Sequence, residues 1–164
     1  MTTKYFSSKK ANLIGDSLIV FIMLFFLSII GIAGYLVINT IYTETAEIFT
    51  DPIAKESIEF TNESHPSLFD GLVISLLAIF WVGTIILAFF IDSHPAFFVL
   101  AIILSIILII CVAVIGNTYQ EINTELGYEN YFPMTTFLFN NLVLFVMAYI
   151  ISVSLSLFGK YASG

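Results

Sequence analysis

Four runs of this chain, residues 17–43, 71–91, 93–120 and 130–159, contain no Asp, Glu, Lys or Arg. They account for nearly two-thirds of its 164 residues, and each is long enough to cross a bilayer as a helix. A hydrocarbon core of about 30 Å requires roughly 20 apolar residues at 1.5 Å rise per residue. With 59% hydrophobic and 10% charged residues and a mean hydropathy of +1.03, the chain is unlike an ordinary soluble domain. It has too few polar residues to cover four apolar helices in water. The pattern therefore predicts an all-α integral membrane protein with four transmembrane helices in one domain, spanning about 17–41, 71–91, 96–116 and 135–158.

The charges between the runs are sorted by sign. Lys4, Lys9, Lys10 and Lys160 fall on one side of the expected membrane, with Asp16 and Asp92. The other side takes segments 42–70 and 117–134, with Lys55 against ten acids, among them Glu56, Glu59, Glu63, Asp70, Glu121, Glu125 and Glu129. A lysine excess on one face marks the cytoplasmic side. Both termini are thus expected in the cytoplasm, or in the equivalent interior of an enveloped particle, beneath an acidic cap on the far face. The first apolar run continues to Ile41, longer than the core of a secretory signal, so an uncleaved first span is expected.

Local signals place the helix ends. Asp92, Ser93, His94 and Pro95 leave room only for a tight hairpin between spans two and three, and Pro95 suits a first helical turn. Ser67 and Asp70 form a capping-box pattern ahead of span two. Ile115, Tyr119, Ile122 and Leu126 continue span three as a helical stripe that ends at Gly127. A face from Ile41 to Phe49 continues span one as far as Asp51-Pro52, and a short helix over 52–60 follows. The two extensions are expected to pack on each other above the bilayer. In span four, Ala148, Ser152 and Ser156 form a small-residue line suited to helix packing or to a subunit interface. Asn140 and Asn141 enter the same span, where bonding to neighbouring helices is the default and solute binding the alternative.

Most chemistry lacks its residues. A net charge of −7 with no Arg and no basic stripe gives phosphates nothing to bind, so no nucleic-acid partner is expected. Cys111 is the only cysteine. His65 and His94 both sit in Ser-His-Pro-x-x-Phe settings, but the topology puts them on opposite faces, too far apart to share a metal. No nucleophile, phosphate-loop or zinc-protease motif occurs, so neither enzyme activity, a cofactor nor a metal is expected. Coupled transport would call for an ionisable group within the spans, and the four runs carry none.

The string Ile91-Asp92-Ser93-His94-Pro95-Ala96-Phe97-Phe98, the later Asn117-x-Tyr119-x-Glu121 and the ending Phe158-Gly159-Lys160 resemble small polytopic membrane proteins of marine bacteriophages and viruses, including tailless ones with a membrane in the virion. The resemblance covers roughly residues 89–160. It implies a structural or assembly role, with the bilayer, further copies of the chain, or other membrane or capsid proteins as partners. The expected function is therefore that of a structural component of a larger membrane assembly, a virion membrane being one candidate. A holin-like permeabilising protein and an oligomeric channel are the alternatives.

Overall fold

The computed structural model describes residues 13–45, 48, 50–90 and 95–162. Five helices follow one another: α1 (Leu13–Thr45), α2 (Pro52–Phe90), α3 (Pro95–Leu126), α4 (Pro133–Asn140) and α5 (Leu142–Ala162). No strand occurs among the described residues. Three helices are long and apolar enough to cross a membrane, and a fourth span results if α4 and α5 are counted together. In the most apolar windows of α1, α2 and α3, only 33%, 22% and 22% of residues are buried. Large apolar side chains such as Met23, Ile79, Ile110 and Leu155 point outward on every long helix. Water would penalise such a surface and lipid would not, so the all-helical architecture is consistent with a multi-pass membrane protein.

Three helix boundaries differ from the sequence expectation. The helix over 52–60 does not stop, and α2 runs for 39 residues through Pro66. Its cap is Asp51, whose Oδ1 accepts the Ile53 N–H at 3.0 Å, with Pro52 in the first turn. Ser67 and Asp70 therefore lie inside the helix and open nothing. An internal proline costs about 3 kcal/mol in isolation. Here Pro66 is buried, and its neighbours His65 and Phe69 are seated on α1, so tertiary packing offsets that cost. The second difference is at the end of α1: the described helix reaches Thr45, and at Ile48 the N–H closes a turn on the Thr45 carbonyl at 2.9 Å. Third, span four is broken: the axis turns by 71° at Asn141, between α4 and α5.

The end of α3 is as expected. Gly127 takes φ 71°, its N–H bonds to the Thr124 carbonyl and the Tyr128 N–H to the Asn123 carbonyl, at 3.2 and 3.3 Å. That pair of bonds is the Schellman motif, which a residue with positive φ makes possible. Pro95 opens α3, while Asp92, Ser93 and His94 lie outside the described residues.

The helices close around a main core that includes Phe21, Leu24, Ile32, Val73, Leu108, Val112, Leu142 and Val146, with a smaller cluster of Ala88, Tyr149 and Val153. α1 and α2 are antiparallel, and their register is marked at three heights. Phe21 meets Phe80 edge-on at 6.1 Å, Gly31 receives the Phe69 ring, and Gly34 faces His65. Higher up, Ile38 and Ile41 share a shallow groove with Ala54, Ser57, Ile58 and Thr61. The end of α1 thus packs on the start of α2, whereas the end of α3 reaches α1 through Tyr128, whose ring meets Tyr35 at 5.5 Å.

A Cβ at Gly31 would sit inside the Phe69 ring, while one at Gly71 would meet nothing within 4 Å. Gly31→Ala should therefore lower stability by about 1–3 kcal/mol through overpacking. Gly71→Ala should leave it unchanged or slightly higher. Unfolding of the two variants in mixed detergent micelles measures both.

Candidate functional site

The sequence from Tyr131 to Thr136 starts a helix without the means to cap it. Pro133 occupies the first turn, and Phe132, at the N-cap position, has no side-chain acceptor to offer. The first N–H groups of α4 would be orphaned in an apolar setting. Asp70, from the middle of α2, supplies the missing acceptor. Its Oδ2 accepts the Met134 N–H at 2.8 Å and its Oδ1 the Thr135 N–H at 2.6 Å. The carboxylate is only 3% exposed. Two charge-assisted bonds and the positive end of the α4 dipole hold it there.

A polar cluster surrounds this contact. Asn123 of α3 donates from Nδ2 to the Thr136 Oγ1 at 2.9 Å. Tyr119, one turn earlier on α3, is fully buried and stacks on Phe139 of α4 at 4.2 Å, with the rings 16° from parallel. Gly116 makes this approach possible, because a Cβ there would stand 3.0 Å from the Phe139 carbonyl oxygen. Toward the loop, Tyr35 is ringed by Tyr131, Tyr128, Phe132 and His65 at 4.8 to 6.3 Å. His65 in turn stacks on Phe69 at 5.8 Å. Five buried polar atoms have no hydrogen-bond partner among the described residues: Asn62 Oδ1, His65 Nδ1, Tyr119 Oη, Asn123 Oδ1 and Thr135 Oγ1. All belong to this cluster or its approach along α2. A second, smaller polar contact joins α1 to α5, where Ser17 Oγ and Tyr149 Oη are 2.6 Å apart.

The residues singled out from the sequence are placed as follows. Tyr119 enters the cluster, Ile122 is half-buried, and Leu126 is 42% exposed. Burial at the end of α3 follows Tyr119 and Asn123 instead. On α5, Ala148 is exposed, Ser152 half-buried and Ser156 buried. Ser152 and Ser156 donate back to the carbonyls of Ala148 and Ser152, at 2.7 and 2.9 Å. Four-residue spacing drifts by about 40° per step on a helix of 3.6 residues per turn, so the line winds from surface to interior. Asn141 sits at the bend, donating from Nδ2 to the Phe137 carbonyl at 2.9 Å, and Asn140 is exposed. Among the described residues, no group of three or more His, Cys, Asp or Glu is placed to hold a metal ion.

Asp70 and Asn123 are the members that sequence reasoning missed. The signal was a helix start at Pro133 with no local acceptor, together with an acid at the edge of an apolar run. What this arrangement does chemically is to fix one helix end against two others. Compared with known protein families, characterised proteins and solved structures, the chain has no significant match.

Replacing Asp70 by Ala should lower stability by about 2–4 kcal/mol, because two buried N–H groups lose their acceptor. Asp70→Asn keeps one acceptor oxygen and should cost less. Thr135→Val should be neutral or stabilising, since it deletes a hydroxyl that has no partner. Equilibrium unfolding of the three variants checks this order.

Proposed function

We propose that this protein is a structural integral membrane protein, one component of a larger membrane assembly, with a virion membrane as the candidate setting. In this reading the chain crosses the bilayer four times, through the apolar parts of α1, α2 and α3 and through α5. The last has 21 residues, about 30 Å of helix, enough to cross by itself. α4 then lies tilted at the boundary, its Met134 and Phe137, 57% and 61% exposed, set into the headgroup region. The termini lie on the lysine-rich side, in the cytoplasm or the particle interior, by the positive-inside rule. The opposite face carries the acidic residues of the α2 start and the α3 end.

One observation carries the structural reading: five hydroxyls of the apolar spans are committed to the helices themselves. Ser28, Thr84, Ser105, Ser152 and Ser156 each donate to a carbonyl one turn earlier. Ser17 and Tyr149 bond to each other. Between them the axis is filled by Leu77, Leu108, Val112 and Val146, all less than 10% exposed. A solute path would need hydroxyls or amides turned toward a shared lumen. Asp70, which directly precedes the charge-free run of α2, is engaged by two backbone donors. The resemblance of residues 89–160 to small membrane proteins of marine phages and viruses supports the same role.

Expression in bacteria should be tolerated, and purified protein in liposomes should pass no ions. Abrupt lysis on induction would overturn this in favour of a holin-like activity. Ion flux that changes with Asn140→Leu or Asn141→Leu would overturn it in favour of a channel.

A further inference from the structure

We propose that the junction between α3 and the start of α4 is a binding site for an ordered water molecule, bridging Tyr119 Oη, Asn123 Oδ1 and the Thr136 hydroxyl. The site is independent of the structural role above. It starts from two orphaned oxygens. Tyr119 is 0% and Asn123 1% exposed, yet Tyr119 Oη and Asn123 Oδ1 have no hydrogen-bond partner among the described residues. Buried polar atoms are as a rule paired, with protein or with ordered water. Both atoms converge on one group. Tyr119 and Asn123 are four residues apart on α3 and so share a face. Asn123 donates from Nδ2 to Thr136 Oγ1 at 2.9 Å, which brings its amide oxygen into the same neighbourhood. Tyr119 Oη faces that hydroxyl too, without completing a hydrogen bond to it. The tyrosine ring is held in place by its stack on Phe139. Polar groups that face each other without bonding are where a bridging water sits.

The donor and acceptor pattern selects the occupant. Asn123 Oδ1 can only accept, whereas the hydroxyls of Tyr119 and Thr136 can each donate and accept. The occupant must therefore donate at least once, and water both donates and accepts. A cation would satisfy the acceptors, but the positive end of α4 lies within a turn of Thr136 and already holds the Asp70 carboxylate. Water is close at hand, because Glu121, Thr124 and Glu125, on either side of Asn123 along α3, are exposed. Thr135 is set apart from this site. It lies about 100° round α4 from Thr136, and its N–H meets Asp70 of α2.

Tyr119→Phe tests the site, because it removes the hydroxyl and keeps the ring stacked on Phe139. With a water bridged there, the variant loses one of its partners, and the folded-to-unfolded ratio in mixed micelles should fall roughly fivefold to tenfold. Thr135→Val, which deletes an orphaned hydroxyl outside the site, should show no such fall. In the unaltered protein in lipid nanodiscs, NMR should detect dipolar transfer from water protons to the Asn123 side-chain amide, and none to the methyl groups of Val112, equally buried in the apolar core. Absence of transfer at Asn123, or a Tyr119→Phe variant as stable as the unaltered protein, would overturn the proposal. An unfolding midpoint that rises when sodium replaces choline at constant ionic strength would also overturn it, by assigning the same oxygens to a cation.

Discussion

The arrangement depends on two hydrogen bonds from the start of α4 to the Asp70 carboxylate. In an apolar medium a helix cannot simply begin, because its first N–H groups have no water to turn to. A span that breaks, as the last one does at Asn141, creates such a start at Pro133. Asp70 resolves it from another helix, 64 and 65 residues away in the chain. Once α4 is held there, Phe139 reaches Tyr119 and Thr136 reaches Asn123, so the same contact ties α3 to α2. The 71° turn into α5 follows from where α4 is fixed, and Asn141 bonds back to Phe137 across it.

The clamp sits beside the middle of the apolar run of α1 but at the upper edge of the apolar run of α2. This offset comes from the register of the two helices, with Gly31 against Phe69 and Gly34 against His65. Two glycines let the bulky rings of α2 approach, and a ring of Tyr35, Tyr131, Tyr128 and Phe132 closes the cluster on the loop side. The same offset sets the charge-free top of α1 beside the acidic start of α2, where Ile38 and Ile41 meet Ala54, Ser57 and Ile58.

What could be read from the residues was local. The apolar runs, the proline at the start of α3 and the glycine at its end depend on neighbours within four or five positions, and each was legible. The role of Asp70 was not. Ser67-x-x-Asp70 before an apolar run satisfies a local capping pattern, and nothing nearby reveals that the acid serves a helix start far along the chain. Pro66 would break an isolated helix but not one seated on the glycines of α1. At the end of α3, hydrophobic periodicity gave weight to Ile122 and Leu126, whereas the buried line runs through Tyr119 and the polar Asn123. A buried amide adds nothing to an apolar stripe, and its partner Thr136 is visible only in three dimensions. The break at Asn141 lies inside a charge-free run, where composition does not change.

The central claim is that Asp70 holds α4 at a fixed angle to α5. Solid-state NMR on oriented bilayers, with amide nitrogens labelled at Leu138 and Val146, reports the tilt of each helix directly. The account predicts two distinct tilts differing by the large bend seen here, with the α4 signal losing its single orientation in Asp70→Ala while the α5 signal is retained. One common tilt for both labels in the unaltered protein, or an α4 orientation unchanged by Asp70→Ala, would contradict it.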